Sequence, residues 1–268
     1  MTTLPPPQPS PPVIRAVGRD MLQEDFFSWF ESQERITFRK SQFGMHAGYL
    51  FTEVQSHAFV VEMSKSLALW DAEFQSSKNY PLLMNVELLP FNRKSYESFL
   101  NKVYRTCCVY NSKFPSEPDA GWITDLNYLS VINDLVRNKI SCKFIDGPEI
   151  LSIKLVELAA KHGLRAEYSS RNYDDGYYAY HVYVYFPIVI DLGTSPAVTH
   201  EVGVEIQIST QLKEVMYEIL HKFYADDRSK VFKEDWKWDT ASLKFKSGYL
   251  SHTLHMLEAM IVELRDKL

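Results

Sequence analysis

A chain of 268 residues with 46% apolar and 24% charged side chains can bury a sizeable core, as one large domain or two small ones. Its net charge of -5 and pI of about 5.9 exclude a general electrostatic attraction to nucleic acid or anionic lipid, so any phosphate site must be built locally. Three cysteines, Cys107, Cys108 and Cys142, form no CxxC pair, and adjacent cysteines are poorly placed to bridge each other, so a reduced, soluble, cytoplasmic protein is expected.

The stretch Met1 to Pro12 is rich in Pro, Thr and Ser where a secretory signal needs an apolar core, and no apolar run approaches membrane-spanning length. Residues 1–20 therefore read as a disordered tail and 21–80 as a helical segment. Within it, MLQEDFFSWFE from Met21 to Glu31 has helical spacing. A longer helix is expected from about Tyr49 to Phe74, with Phe51, Val54, Ala58, Val61 and Leu69 on its apolar side. A short strand near Met84 to Leu89 should lead through Pro90 into a helix from about Tyr96 to Cys107, after which Pro115, Pro118 and Gly121 mark a loop.

The core is expected over 81–232, with a C-terminal loop and helix over 233–268 packed on it. Three segments alternate. In Arg137 to Phe144, Arg137, Lys139, Ser141 and Lys143 oppose Ile140, Cys142 and Phe144. In Tyr177 to Phe186, Tyr177, His181, Tyr183 and Tyr185 oppose Tyr180, Val182, Val184 and Phe186. In Glu201 to Ile208, Glu201, Glu205 and Gln207 oppose Val202, Val204, Ile206 and Ile208. Each strand thus has a β-branched or aromatic face, which helices at about Glu149 to His162, Thr210 to Tyr224 and Ser247 to Lys267 could cover. The class is α/β (α+β), with one polar sheet face left open.

After Pro90, the residues Lys94, Ser98, Lys102 and Arg105 fall within about an 80° stripe of a helix, and cations so placed repel unless an anion sits among them. A triphosphate would serve; on spacing alone, so would an ordinary solvated helix face. Asp134 stands just before the first alternating strand and Glu205 on the polar face of the last. Two carboxylates from neighbouring strands can hold magnesium, and Glu205 could instead deprotonate an attacking hydroxyl or simply be an exposed strand carboxylate. Gly176 permits close backbone approach, and Tyr177 beyond it could stack on a base, with His181 on the same face; Tyr183 and Tyr185 read as cross-strand pairs. Thr210 can cap a helix whose Leu212, Val215, Met216, Ile219 and Phe223 would face inward. His252 and His255, three apart, read as a surface pair, and Trp236 and Trp238 as packing anchors.

Taken together, the segments RKSYESFLNKVYR, NDLVRNKI, DDGYYAYHVYV and VEIQISTQLKEVMYEILHKFY, between about Phe91 and Asp226, resemble the synthetase domain of the RelA/SpoT family, the alarmone synthetases and their small single-domain relatives. The resemblance implies a mixed sheet of about five strands in a nucleotidyltransferase-like synthetase fold. It implies that Lys94, Ser98, Lys102 and Arg105, with Arg93 and Arg137, hold an ATP donor, that Asp134 and Glu205 bind Mg2+, and that Tyr177 stacks on the acceptor base. His181 and Gln207 would share that pocket with Arg171 the nearest cation. The implied reaction is attack of the acceptor's ribose 3′ hydroxyl on the β-phosphorus of ATP, releasing AMP.

The departures concentrate on the acceptor side. Asn92 replaces an arginine before Lys94; Gly-Tyr-Arg-Ser-x-His becomes Gly176, Tyr177, Tyr178, Ala179, Tyr180, His181; Ser209 replaces the arginine after Glu-Ile-Gln-Ile. Asp-x-x-Gly-x-Arg appears as Asp134, Arg137 and Lys139, and the acceptor-phosphate lysine before the Gly-Tyr turn is missing. A guanine nucleotide, an adenine nucleotide and the 3′ end of tRNA are all conceivable acceptors, the last as in toxin members of the family. A catalytically silent nucleotide-binding module, a homo-oligomer and a neutralising protein partner also remain open. No His is followed by Asp, so the hydrolase activity of long relatives is not expected.

Overall fold

The computed structural model describes residues 18, 19, 21–173, 176–190, 198–217 and 236–267. The chain divides into two compact units, Met1–Thr37 with Glu97–Asp125, and Phe38–Tyr96 with Leu126–Leu268. None of the helices among the described residues is long and apolar enough to cross a membrane.

The smaller unit is helical and aromatic. In α1 (Gln23–Glu34), Phe26 and Phe30 stand four apart and are fully buried. With Trp29, Tyr104, Phe114 and Trp122 they form a ring cluster with centroids 4.9 to 6.2 Å apart. Such offset and edge-on contacts add to simple burial. Most of α4 (Tyr96–Tyr104) belongs here, and it passes into a π-turn at Arg105–Val109. The helix expected to Cys107 therefore widens at its end rather than continuing.

In the larger unit, α2 (Lys40–Ser56) and α3 (Ala58–Lys78) replace the single helix expected between Tyr49 and Phe74. His57 breaks it: its backbone is extended, at φ -65° and ψ 140°, and its side chain accepts from the Phe59 amide as an N-cap. The break resets the helical phase. Val54 is buried as expected, but Val61 and Leu69 are exposed, and Val60, Met63, Leu67 and Trp70 face the core instead. The strand expected at Met84 to Leu89 does not form beyond a bridge between Leu83 and Cys142, because Asn85 turns the chain by accepting from the Glu87 amide.

Five strands form an open mixed sheet: β1 (Asn92–Arg93), β2 (Val136–Cys142), β3 (Arg165–Asn172), β4 (Tyr178–Ile190) and β5 (Val198–Thr210), in the order β1-β2-β5-β4-β3. Only β2 and β5 run parallel; the other neighbouring pairs are antiparallel. The alternation expected for β2, β4 and β5 holds. Val182, Val184, Phe186, Val202, Val204, Ile206 and Ile208 are buried on the even-numbered face. There α6 (Gly147–Lys161) meets β3, β4 and β5 and brings Leu151, Leu155 and Leu158 into the core. Each such side chain stabilises by about 1.5–3 kcal/mol. The polar edge strand β3 carries little apolar alternation and was not expected.

Beyond α5 (Tyr128–Val131), further helices are α7 (211–217), a short 3-10 turn at Trp236–Trp238, and α8 (Leu243–Arg265). Thr210 does sit at the start of α7, accepting from the Lys213 amide at 3.4 Å, but the phase differs from the expectation. Lys213 and Met216 are buried, while Leu212 and Val215 are exposed. Ile219 and Phe223 lie outside the described residues. Trp238 is 86% exposed and anchors nothing.

Candidate active site

The sheet's odd-numbered face brings the polar side chains into rows. Register places Arg137, Glu205, Tyr183 and Glu167 side by side across four strands, and Lys139, Gln207, His181 and Ser169 in the next row. Side chains two apart on one strand share a face, so the rows form a patch.

Glu205 lies at the centre of this patch and is only 5% exposed. One of its oxygens receives both His181 Nδ1 at 2.8 Å and the Gln207 amide at 2.7 Å. A carboxylate only accepts, so Nδ1 carries the proton, and Nε2 faces the Tyr177 hydroxyl at 2.9 Å. Tyr183 stands 3.4 Å from the same Nδ1 and hydrogen-bonds to Arg171. Burial pushes Glu205 up, but the hydrogen bond and charge of His181, helped by Gln207, outweigh it and leave the group below the usual carboxylate range. Burial, followed by the nearby Glu205 charge, pushes Tyr177 well above the ordinary phenol, so its hydroxyl stays protonated. Tyr177 also stacks on Tyr173, with centroids 5.7 Å apart.

Asp134 enters from the turn before β2. It is 8% exposed and meets Lys94 Nζ at 2.6 Å, while the Lys94 amide donates to the Leu135 carbonyl at 2.8 Å. This pair, forty residues apart, ties the segment after β1 to the turn before β2, the strand that borders Glu205. Asp134 in turn raises Glu205, which shows two buried carboxylates within electrostatic reach of one another. Lys94 is the cation at Asp134, and Mg2+ bound together with phosphate needs only one or two protein carboxylates. Asp134 and Glu205 meet that requirement in number, and no group of three or more metal-ligating side chains exists among the described residues.

Arg137 is exposed beside Glu205, whereas Arg93 lays its guanidinium 5.6 Å from the centre of the Phe51 ring. Lys139 is drawn to Glu214 at 2.7 Å and over Tyr217. In the helical unit, Ser98 is exposed, and Lys102 and Arg105 are half-buried. Arg105 begins the π-turn, and its buried Nε has no hydrogen-bond partner among the described residues. Such turns recur at functional sites, and an unpaired buried guanidinium nitrogen suits an anion. Tyr183 had been set aside as a cross-strand pair; its odd number, shared with His181 and Glu205, was the signal that it belonged to the patch.

A structural comparison bears on this arrangement. The small alarmone synthetase 1 from Bacillus subtilis, solved bound to its product pppGpp, superposes over 78% of this chain and 92% of its own, with a TM-score of 0.51 at 20% identity. The chain has the fold of a small alarmone synthetase. A GTP pyrophosphokinase family protein from Streptococcus pneumoniae covers 85% of this chain and 92% of its own, at a TM-score of 0.47 and 17% identity. No protein-family model and no curated protein matches the sequence. Two of the altered motif positions carry uncharged side chains: Ala179 is buried, and Tyr178 faces the opposite side of the sheet, its hydroxyl on His252. His252 and His255 are therefore packed around Tyr178 rather than paired on the surface.

Proposed function

We propose that the chain is an ATP-dependent pyrophosphokinase, moving the β,γ-pyrophosphate of ATP to the ribose 3′ hydroxyl of a guanine or adenine nucleotide and releasing AMP. The observation that carries this reading is the hydrogen-bonded chain Tyr177–His181–Glu205, with Glu205 buried, together with the buried Lys94–Asp134 pair, on the fold of a small alarmone synthetase. Glu205, held ionised by His181, can accept the proton of the attacking hydroxyl or share a cation with Asp134. Tyr177 offers a ring face to the acceptor base while its hydroxyl is fixed on His181. Lys94 supplies a charge at Asp134, and Arg93 and Arg137 of the same unit would meet the donor phosphates; for Ser98, Lys102 and Arg105, in the helical unit, the donor role rests on the family resemblance alone. Magnesium, when held by Asp134 and Glu205, would neutralise the phosphate oxygens as charge develops.

Purified protein incubated with Mg2+, ATP and each of GDP, GTP, ADP, GMP and deacylated tRNA should release AMP with at least one acceptor. The product should gain two phosphates by mass spectrometry. Absence of AMP with every acceptor overturns the reading. Uncharged Ala179 and Ser209, where the resembling family carries polar or cationic side chains, favour one second reading, a nucleotide-binding module without turnover. Calorimetric ATP binding with no AMP would support it.

A further inference from the structure

Tyr177 lies between two residues that α8 grips. On one side, Ser251 Oγ donates to the Gly176 carbonyl at 2.6 Å. Ser251 is itself held by the buried Lys213, whose Nζ donates to the Ser251 carbonyl at 2.5 Å and lies 3.1 Å from its Oγ. Gly176 has a φ of +86°, and a Cβ there would fall 2.6 Å from Ser251 Cβ and 2.8 Å from the Gly248 carbonyl oxygen. Turn and helix are thus in direct backbone contact, and only glycine fits. On the other side, the Tyr178 ring stacks on His255 at 3.7 Å with 4° between planes, and its hydroxyl meets His252 Nδ1 at 2.6 Å. Lys213 Nζ stands 4.5 Å over the same ring.

The buried side of α8 is correspondingly polar: Ser247, Gly248, Ser251, Glu258 and Arg265. A helix meant only to seal a core would turn its apolar residues inward. Here two of the inward residues, Gly248 and Ser251, instead meet Gly176 directly.

We infer that α8 positions the acceptor platform: Ser251, backed by Lys213, and His252 fix the backbone on either side of Tyr177 and so aim its ring and hydroxyl at His181 and Glu205. This rests on Tyr177 being the acceptor's stacking partner, as proposed above. Ser251 and His252 touch no reacting atom and act through Tyr177. Loss of one such hydrogen bond would loosen the platform while leaving the Lys94–Asp134 pair untouched, so acceptor and donor should respond differently.

The test compares wild type with Ser251→Ala and His252→Phe by three measurements: calorimetric affinity for GDP and ADP, the KM for ATP during AMP release, and amide hydrogen exchange across residues 172–180. The expected result is acceptor binding weakened roughly tenfold, ATP KM unchanged, faster exchange at the turn, and a melting temperature near wild type. Unchanged exchange overturns the positioning role, and so does faster exchange with unaltered acceptor affinity. Equal losses for acceptor and donor also overturn it, marking a general structural defect. If wild type binds GDP or ADP but releases no AMP, the pyrophosphokinase reading fails while exchange and affinity still decide the role of α8; if it binds neither nucleotide, the platform inference falls too.

Discussion

His181 Nδ1 stands 2.8 Å from Glu205 Oε1, and its other ring nitrogen stands 2.9 Å from the Tyr177 hydroxyl, so one imidazole joins the ionised carboxylate to the aromatic platform. Removing it leaves burial and the Asp134 charge acting on Glu205 unopposed except by Gln207, and both raise the carboxyl. His181→Ala should therefore move the acid limb of the pH–rate profile to higher pH, with Gln207→Leu doing the same to a smaller extent. An unmoved acid limb in both variants would show that Glu205 does not govern it. The same lowering has a consequence for folding. A carboxyl held lower in the folded chain contributes stability that is present above its unfolded value and is lost as pH falls through the folded one.

Lys94 and Asp134 are both nearly buried, so neither can be left alone without a large penalty. Lys94→Met should destabilise the fold by about 3 kcal/mol, read as a shift in urea midpoint, because a carboxylate remains in a dry site. Combining Lys94→Met with Asp134→Asn should recover most of that loss while AMP release stays absent. If the double variant is no more stable than the single, the pair is not the source of the penalty.

Arg105 differs from Lys94 in having a buried Nε with no partner among the described residues. An N–H left unpaired in the folded chain contributes no stability there, so Arg105→Met should leave the melting temperature unchanged or raise it slightly. If the guanidinium instead waits for donor phosphate, the KM for ATP should rise roughly tenfold or more in the same variant. A large loss of stability with an unchanged KM would assign Arg105 to packing alone.

What the sequence disclosed followed from local period. Val182, Val184, Ile206 and Ile208 alternate with polar residues, so the strands and their buried face were readable, as was the shared face of His181 and Glu205. Phase was lost wherever one side chain reset the chain locally. His57, an ordinary helix residue by composition, caps α3 and turned Val61 and Leu69 outward; Lys213 displaced Leu212 from the inward face of α7. The Lys94–Asp134 contact spans forty residues and the Ser251–Gly176 contact seventy-five, separations at which periodicity carries no information.

The core should respond without touching the chemistry. Ile206 points into the even-numbered face, between Asn138 and Val182 in register, one residue from Glu205 but on the opposite side of the sheet. Ile206→Val should cost about 1 kcal/mol and Ile206→Ala about 3 kcal/mol, measured by urea unfolding, with the rate per folded molecule retained for the valine variant. Loss of activity in Ile206→Val out of proportion to its stability would mean that the two faces are coupled through the strand.

Lys213 provides a test of sign on the alkaline side. Burial lowers its ammonium from 10.5 to about 8, against the attraction of Glu258, and the groups facing it are Tyr178, Ser251, His255 and Glu258. Between pH 8 and 10.5 the unfolded chain binds the proton more strongly than the folded one. The Lys213 contribution to folding stability should therefore climb with pH through that window, whereas below pH 8 both states are charged and the whole desolvation penalty is present. Glu258, raised by its own burial, acts in the acid range, and the raised phenol of Tyr178 acts only above 10. The buried thiols of Cys107 and Cys142, pushed up from 9.0, act in the opposite direction above pH 9, so the Lys213 contribution is read in urea unfolding as the stability of wild type minus that of Lys213→Met, a difference that should grow from pH 8 to pH 10 by on the order of 2 kcal/mol. A difference that stays constant over the same interval would assign the titration to some other group.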